Sequence, residues 1–430
     1  MSLIRLRFKV LQLILVLILL IPWIKAAPST KTMSYLSKMK YFGKMAKYFT
    51  GSKSGFIIDK YLQTVSCFSN IEINAQLNAN FADNFDIIKS KWEKHSVNIN
   101  CSRAPKRPLD RRRDTKKLRI MSYNTEWLFL FGGTGSVQCP GLGCPWDNLT
   151  KAREHIRQTI ELLVKIDADI VHFNEVEDCR VLRLLMDMLP SGHGYRAYLV
   201  PGTDNMTGQN VGVLTRIDPS SDLRRSDLRK VYPVPGSTCG VSASYISYSN
   251  GKKRSGIMGL SKHYLTYFQV GDKKIMWAGA HFIAHPSSVD RCVRREAQAA
   301  VLADFITSEA RTKNFEVIVT GDLNDHDEEV LGSNKIAPLS SVLRILKSCK
   351  PGLRSAMSFV NDPLSRYSSW HDINFNCVDD GPRQHSLIDH VLISPGLARH
   401  VSSVWIDHNS TVSCKRRISD HWPIIVDFSF

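Results

Sequence analysis

Apolar residues from position 118 onward follow two patterns. Short runs bounded by polar residues, glycine and proline are typical of buried β-strands. Longer segments repeat apolar residues every three or four positions, as amphipathic helices do. Strands and helices mixed along one long segment indicate an α/β fold in which helices cover sheets. We predict helices at Thr150–Ile166, Val181–Leu189 and Cys292–Ile306. We predict strands at Leu118–Tyr123, Ile170–Phe173, Val211–Leu214, Lys274–Ala280, Glu316–Val319, Ile388–Ile393 and Ile424–Phe428.

The first 27 residues have the pattern of a secretory signal. Arg5, Arg7 and Lys9 precede a mainly apolar stretch over 10–24, and small residues follow at Ala26 and Ala27. The apolar stretch is short for a bilayer span, which needs roughly 20 residues. We expect residues 1–26 to be a signal peptide that directs the protein to secretion or to the endolysosomal lumen. An uncleaved membrane anchor is the alternative.

Cysteines and sequons agree with export. The chain has ten cysteines, an even count that fits disulfide pairing in an oxidising compartment. Cys139 and Cys144 lie in a Gly/Pro loop, where they could close a small ring. Their C-x₄-C spacing is not a good zinc pattern, and no second pair matches it. N-x-S/T sequons, which mark expected glycosylation sites, begin at Asn100, Asn148, Asn205 and Asn409.

Most of the net positive charge lies near the N-terminus. Residues 1–119 contain 23 lysines and arginines against 7 acidic residues, whereas the other 311 residues contain 34 against 33. We expect residues 27–102 to be a helical extension and residues 103–119 to be a solvated basic linker. Contact of this basic arm with a membrane surface is an alternative. For the linker, a processing site or a polyanion-binding arm also stays open.

Acidic, amide and imidazole side chains end or follow the predicted strands, in order along the chain. Polar groups at strand ends converge on one rim of a sheet, where clefts form. A single such ending is uninformative, but an ordered series predicts one common site. The blocks are Ser122–Glu126, Asn174–Glu177, Ala280–His281, Gly321–Asp325, Leu387–His390 and Ser419–Pro423.

These blocks resemble the endonuclease/exonuclease/phosphatase superfamily, which includes deoxyribonuclease I-like nucleases, abasic-site endonucleases and neutral sphingomyelinases. The resemblance covers residues 118–430, and we place the catalytic domain at 120–430. It implies a four-layer α/β sandwich, in which two mostly antiparallel sheets are flanked by helices. It also implies a Mg²⁺-dependent phosphodiester hydrolase, with Mn²⁺ as an alternative metal.

The resemblance implies a set of metal-site residues. Glu175 matches the family's metal-ligand carboxylate, and Asn124 would support that carboxylate or a metal-bound water. Asp420 would be a second metal or water-orienting carboxylate. Such a set suits Mg²⁺, which favours one or two carboxylates together with water and substrate oxygen. Asn174 stands where the family usually has Gln, which leaves the carboxylate in place.

The catalytic roles follow from the same resemblance. His421 would accept a proton from the attacking water, because an imidazole titrates near neutrality. Asp389 would fix its tautomer, as in other carboxylate–histidine pairs. Asp322 and Asn324, two positions apart, would orient the water and contact the phosphate. His281 would donate to a phosphate oxygen or protonate the leaving group.

Two further residues would contact substrate. They are Asn210, at a glycine-containing strand start, and His285, four residues after His281. A β-turn role for Asn210 and a supporting role for His285 are the alternatives. Glu126 and Glu177 would be either site carboxylates or structural ones. We expect the remaining histidines to be structural or surface residues, among them His155, His172, His263 and His371.

Three substrate classes suit such a site. Export and His281 favour DNA or RNA over a phospholipid headgroup, the substrate of the sphingomyelinases. Inositol-phosphate phosphatases are disfavoured, because their Trp-Cys-Asp-Arg type motif is replaced here by residues 386–390. A catalytically inactive binding module on the same fold is the alternative of another class. We predict no protein partner.

Overall fold

The structure is a computed structural model that describes residues 81, 83–95, 101–133, 135–239, 256–310, 315–410 and 418–430. All of them belong to one compact unit, Ala79–Phe430. The predicted signal peptide and most of the predicted helical extension lie outside the described residues, as does the sequon start Asn100. Within the described part of the chain, no helix is both long enough and apolar enough to cross a bilayer.

Six strands form the first sheet, in the order β14–β15–β1–β2–β4–β3. Its central pair, β1 and β2, is parallel, and its other neighbours are antiparallel. The strands are β1 (Lys117–Leu128), β2 (Ile170–Val176), β3 (Arg196–Leu199), β4 (Asn210–Thr215), β14 (Val401–Ile406) and β15 (Ile424–Ser429).

Five strands form the second sheet, in the order β10–β13–β9–β8–β7. Only β8 and β9 are parallel among its neighbouring pairs. The strands are β7 (Lys262–Val270), β8 (Lys273–His281), β9 (Glu316–Asp322), β10 (Arg354–Ser355) and β13 (Asp389–Ile393). Two antiparallel ribbons complete the strands, β5 (Arg229–Tyr232) with β6 (Gly256–Gly259), and β11 (Ser369–Trp370) with β12 (His385–Ser386).

Helices cover the outer face of each sheet. The first sheet is covered by α1 (Leu149–Ile166) and α2 (Cys179–Met188), and the second by α3 (Val289–Ala310) and α4 (Val342–Lys347). A short helix α5 (Pro395–Ala398) precedes β14. Asn148 caps α1 by accepting a hydrogen bond from the backbone N–H of Lys151. Two largely antiparallel sheets flanked by helices confirm the predicted four-layer α/β sandwich.

One apolar core lies between the two sheets. Alternate residues of each strand point inward, so Ile120 and Ile170 of the first sheet join Trp277 and Ile318 of the second. The same alternation continues toward the strand ends, where the inward residues become polar. The polar site at the strand ends therefore lies between the two sheets, in the same layer as the apolar core.

The end of the predicted extension and the predicted linker 103–119 are attached to the first sheet at Cys101 and Arg111, although most of the linker residues are exposed. Cys101 is bonded to Cys179 at the start of α2 and pairs with Leu199 of β3. Arg111 forms a bidentate ion pair with Asp218, in which Nη1 donates to Oδ2 at 2.7 Å and Nη2 donates to Oδ1 at 2.5 Å. These partners lie about 80 to 110 positions away, so a local charge pattern could not reveal them. Earlier in the chain, residues 83–93 are helical.

Candidate active site

Polar side chains from both sheets meet at one end of the sandwich. The strands β1, β2, β8 and β9 end there, while β13 and β15 begin there. Parallel pairing within β1–β2 and within β8–β9 brings Asn124 beside Asn174 and places His281 level with Asp322, each two residues past the pair Gly279–Thr320. The structure thus brings all six sequence blocks to one place.

Asn124 joins carboxylates from the two sheets. Its amide Nδ2 donates to Glu175 Oε1 at 3.2 Å and to Asp322 Oδ2 at 3.0 Å. The other oxygen of Glu175 accepts from the backbone N–H of Trp127 at 3.1 Å. Glu175 keeps 15% of its side chain exposed, so the carboxylate reaches solvent. The predicted pair of Glu175 and Asn124 is therefore adjacent and open to a ligand.

His421 and Asp389 form the predicted carboxylate–histidine pair. Nδ1 of His421 lies 2.6 Å from Oδ2 of Asp389, and both side chains are almost fully buried. Nε2 of His421 faces Asp322 Oδ2 at 4.0 Å and Asp420 Oδ1 at 3.9 Å. The Asp420 side chain is 39% exposed. Nε2 of His421 therefore faces the partly exposed carboxylate of Asp420.

His281 and Asn324 lie around Asp322. Nε2 of His281 is 3.6 Å from Asp322 Oδ2 and 3.9 Å from Glu175 Oε1. The backbone N–H of Asn324 donates to Asp322 Oδ1 at 2.9 Å. Gly321 makes this approach possible, because a Cβ there would lie 2.0 Å from the backbone oxygen of Ala280.

Backbone strain is concentrated at the site. Glu126, Trp127, Glu175 and Asn324 all have positive φ angles, between 48° and 64°. Such angles are uncommon for residues other than glycine and cluster at functional positions. These four residues lie where the pairing of β1 with β2 is irregular, between Asn124 and Leu128, and directly after β9.

Buried hydrogen bonds fix Asp389 and the segment 419–422, which carries His421. Ser368 Oγ accepts from the backbone N–H of Asp389 at 3.0 Å, and the carbonyl of Ser368 accepts from Trp422 N–H at 2.7 Å. Ser419 Oγ donates to the Asn124 carbonyl at 2.8 Å. Glu126 accepts from the backbone N–H of Asp420 at 3.0 Å. Glu126 thus orients the loop from a buried position.

Two residues absent from the sequence prediction contact the site. Gln209 Nε2 donates to Glu175 Oε2 at 2.7 Å, and Gln209 Oε1 accepts from Lys262 Nζ at 3.2 Å. Lys262 also pairs with Asp204 at 3.4 Å and is 8% exposed. The segment Gly208–Asn210 at the start of β4 pointed to Gln209 as well, although the prediction selected the neighbouring Asn210.

The other sequence candidates bind backbone groups or, among the described residues, make no side-chain hydrogen bond to this cluster. Asn210 Nδ2 donates to the carbonyls of Glu177 and Gly208, and its Oδ1 accepts from Gly202 N–H. Its amide is thus committed to backbone groups, which fits the turn alternative. His285 is an exposed loop residue beyond β8. Glu177 accepts three backbone N–H groups from the loop after β1 and has a structural role.

The electrostatics of the site follow from burial and crowded carboxylates. Burial raises the pKa of Glu175, and Asp420 raises it further. Burial and the charge of Asp389 raise the pKa of Asp322. Burial would lower the pKa of His421, but Asp389 and Asp420 outweigh it and hold that pKa well above its ordinary value. These carboxylates share a site that is short of positive charge.

A divalent cation fits this donor set. Glu175 and Asp420 supply hard carboxylate oxygens, which Mg²⁺ and Mn²⁺ prefer, and Asn124 supports Glu175. Burial first, and then the charge of neighbouring carboxylates, raise the pKa of Glu175 and Asp322, and a cation would offset that repulsion. Asp322, Asp389 and His421 also place ligand atoms within 4.8 Å of one another. We assign His421 to the Asp389 pair because its Nδ1 is already hydrogen-bonded there.

The sequence profile of the endonuclease/exonuclease/phosphatase family matches residues 121–421. The chain belongs to this family. The match spans the blocks from β1 to His421, so it covers the whole site. Membership establishes a hydrolase of the phosphodiesterase and nuclease type, of a family that typically depends on divalent metals. A search of curated proteins gives no match.

Solved structures of other proteins are similar to this chain. A truncated TDP2 of Caenorhabditis elegans is 15% identical, with a TM-score of 0.44 over 74% of this chain and 100% of that one. D. rerio TDP2, complexed with a single-strand DNA product, is 14% identical, with a TM-score of 0.43 over 73% and 99%. The human Nocturnin catalytic domain with bound sulfate is 15% identical, with a TM-score of 0.40 over 75% and 97%.

Proposed function

We propose that this protein hydrolyses a phosphodiester with a water molecule that His421 deprotonates, at a site that also binds Mg²⁺ or Mn²⁺. The observation that carries the proposal is the convergence of two pairs. His421 with Asp389 forms a base, and Glu175 with Asn124 forms a carboxylate site, while Asp322 lies between them. A family hydrolase with both pairs intact retains the parts that the reaction needs.

Proton transfer follows from the hydrogen bonds of the dyad. Nδ1–H of His421 donates to Asp389, so Nε2 of the neutral imidazole is the nitrogen that accepts the proton of water. Because Asp389 and Asp420 raise the pKa of His421, this neutral form requires either a higher pH or a neighbouring positive charge that lowers the pKa. The water oxygen then forms a bond to phosphorus, and the bond from phosphorus to the leaving alkoxide oxygen breaks. Asp389 stabilises the imidazolium that results. Asp322, 4.0 Å from Nε2, lies where it would orient the attacking water.

A bound cation and His281 would stabilise the negative charge of the substrate. Glu175 and Asp420, with Asn124 supporting Glu175, are the residues that would hold the cation. When bound, the cation supplies Lewis-acid stabilisation of the phosphoryl oxygens. His281 is buried, and burial together with the charge of Lys262 lowers its pKa well below the ordinary value. It therefore acts as a neutral donor to a phosphate oxygen.

For the substrate, nucleic acid is the candidate that the sequence favours. Members of the family cleave DNA and RNA, and three disulfides among the described residues support the export that the signal pattern indicates. A phospholipid headgroup is the second candidate. One structural observation favours it: the loop beside His421 is acidic and carries exposed apolar side chains.

Parallel assays on plasmid DNA, RNA and sphingomyelin vesicles, with Mg²⁺ and with EDTA, test the proposal. EDTA-sensitive cleavage of a phosphodiester that is lost in His421→Ala and in Glu175→Gln supports it. Unchanged turnover in both folded variants would contradict the assigned chemistry. Absence of cleavage of every ester would favour the inactive binding module.

A further inference from the structure

A lysine is buried beside the candidate active site. Lys262 begins β7 and lies directly opposite His281 of β8, so the two side chains share one face of the sheet. The side chain of Lys262 is 9% exposed. Its Nζ lies 3.2 Å from Gln209 Oε1 and 3.4 Å from Asp204 Oδ2. A buried charge is costly unless it is paired, and the proposed reaction gives this cation no role.

Lys262 fixes the orientation of the Gln209 amide. A side-chain amide has one accepting end and one donating end, whereas an ammonium only donates. Oε1 of Gln209 must therefore face Lys262, which leaves Nε2 to donate to Glu175 Oε2 at 2.7 Å. In the reversed amide, the NH₂ group would meet the ammonium and the oxygen would meet the carboxylate, so both contacts would be repulsive. The lysine thus keeps a hydrogen-bond donor on Glu175.

Hydrogen bonds within the loop before β4 hold this arrangement from the other side. Asp204 Oδ2, which faces Lys262, accepts from Thr207 Oγ1 at 2.6 Å. The same hydroxyl accepts from the backbone N–H of Gln209 at 3.3 Å. Asp204, Lys262 and Gln209 therefore form one connected network, and this network ends on Glu175.

The network makes the two oxygens of Glu175 unequal. Oε2 accepts from Gln209 and also from the backbone N–H of Trp127, at 2.7 and 3.1 Å. Oε1 accepts from Asn124 at 3.2 Å and, among the described residues, from no other donor. The carboxylate reaches solvent, since 15% of the side chain is exposed. Oε1 is therefore the oxygen that is left for a cation.

The number of available carboxylate oxygens affects which cation a site prefers. Ca²⁺ takes about six to eight oxygen ligands and often binds both oxygens of one carboxylate. Mg²⁺ is smaller and strictly octahedral, and it combines one or two carboxylates with water. Mn²⁺ also binds at octahedral oxygen sites. A carboxylate that presents one oxygen therefore suits Mg²⁺ and Mn²⁺ better than Ca²⁺.

We propose that Lys262, acting through Gln209, leaves Glu175 with one available oxygen and thereby selects Mg²⁺ and Mn²⁺ against Ca²⁺. The inference rests on the proposed function and makes Lys262 and Gln209 positioning residues of the same site. The charge of Lys262 also repels a bound metal, but this repulsion is the same for all divalent cations. The ratio of two metal affinities therefore isolates the effect of position from the effect of charge.

Competition of Ca²⁺ with Mn²⁺ measures this ratio in the full chain. Calorimetric Mn²⁺ titrations are repeated in the presence of Ca²⁺, and the Mn²⁺ that the unchanged protein binds but Glu175→Gln does not defines the site. Lys262→Met and Gln209→Leu should each lower the preference for Mn²⁺ over Ca²⁺ by roughly 10-fold or more, since outer-shell partners affect metal binding to that extent. Lys262→Arg keeps a donor against Gln209 and should retain most of the preference.

Two comparisons show whether the effect passes through Gln209. In the double variant Lys262→Met/Gln209→Leu, the preference should equal that of Gln209→Leu alone, because the lysine has lost the residue through which it acts. Lys347→Met is the matched control, since the side chain of Lys347 is also 9% exposed and is paired with Asp327 and Glu329, at 2.6 and 2.7 Å. This control should lose stability as Lys262→Met does, but it should keep the metal preference of the unchanged protein.

Two results would overturn the inference. One is a Lys262→Met variant that prefers Mn²⁺ as strongly as the unchanged protein does, and the other is a double variant in which the two effects multiply. If Lys262→Met does not fold, an unchanged preference in Gln209→Leu overturns the inference equally. Failure of the proposed function gives a different result: the unchanged protein would bind no Mn²⁺ that depends on Glu175 and would hydrolyse no phosphodiester, and the inference would fail with it.

Discussion

Nδ1 of His421 lies 2.6 Å from Oδ2 of Asp389, and this contact joins the two sheets of the sandwich. Asp389 begins β13 of the five-stranded sheet, whereas His421 precedes β15 of the six-stranded sheet. Asn124 and Asp322 make a second contact between the sheets, at 3.0 Å. The catalytic geometry therefore depends on how the sheets pack, and the apolar core beneath them fixes it.

Loss of the imidazole should remove most of the activity. We expect His421→Ala to lower kcat by about 10²–10⁴-fold, the usual contribution of a general base. Asp389→Asn should also lower kcat, because the amide no longer stabilises the imidazolium. Single-turnover assays with Mg²⁺ measure both effects. His400→Ala is the matched control, since the ring of His400 contacts Phe430, which follows the end of β15 opposite to His421. Equal rates for all of these variants would exclude His421 as the base.

Loss of the Glu175 carboxylate should weaken metal binding. In Glu175→Gln the side chain keeps an oxygen that can accept from Gln209 or from Trp127, but it loses the charge that attracts the cation. We expect the Mg²⁺ concentration for half-maximal activity to rise by roughly 10–100-fold or more, since even outer-shell losses reach that range. Calorimetric Mn²⁺ titration gives an activity-independent readout. Glu328→Gln, on the surface, should titrate as the unchanged protein does.

The strand ends could be predicted from sequence because their signal is local. Where an apolar run is followed by Asn-Glu or Gly-Asp-x-Asn, the strand leaves the apolar core and its next side chains are polar. Lys262 gave no such signal, since a lysine at a strand start is ordinarily solvated. It is buried because Asp204 and Gln209, more than 50 positions earlier, supply its partners. Strand β7 was not predicted for the same reason, because it begins with Lys262 and His263, which are polar in sequence but buried in the fold.

Half-exposed strands at the sheet edge were not predicted, and the reason is a different one. Strand β14, at the edge of the first sheet, includes Ser402 and Ser403, so its apolar pattern is interrupted. Contacts of the basic segment 103–119 with the sheet were not predicted, because densely charged segments are ordinarily solvated, as most of this one is. Ion pairs such as Arg111–Asp218 depend on residues that only the folded chain brings near. Hydrophobic periodicity and local composition contain no information about partners so distant in the sequence.

Ser368 should act as a positioning residue for the dyad. Its Oγ accepts the backbone N–H groups of Ile388 and Asp389, at 3.2 and 3.0 Å. In Ser368→Ala these buried donors lose their acceptor, which costs about 1–3 kcal/mol for each unsatisfied group. We expect kcat to fall with little change in KM, together with a lower Tm. Ser402→Ala, at an exposed position, should change neither quantity. A drop in Tm without any change in kcat would limit Ser368 to a structural role.

Three buried neutral histidines should make the fold sensitive to acid. Burial lowers the pKa of His155, His172 and His263 to about 3 each, against an ordinary value of 6.5. Because the unfolded chain takes up these protons first, stability is complete above pH 6.5 and is lost as pH falls toward 3. Each histidine should cost roughly 1.4 kcal/mol per pH unit within that window.

Urea unfolding between pH 7.5 and pH 4.5 measures this loss. His155→Phe keeps a ring stacked on Trp146, where the centroids are 3.9 Å apart, but removes the proton site. The slope of unfolding free energy against pH should therefore decrease by about 1.4 kcal/mol per unit in this variant. His371→Asn, at an exposed position, should leave the slope unchanged. If His155→Phe has the slope of the unchanged protein, His155 is protonated in the folded state and the burial argument fails. A confirmed slope would favour secretion over an acidic lumen, because the fold would lose stability there.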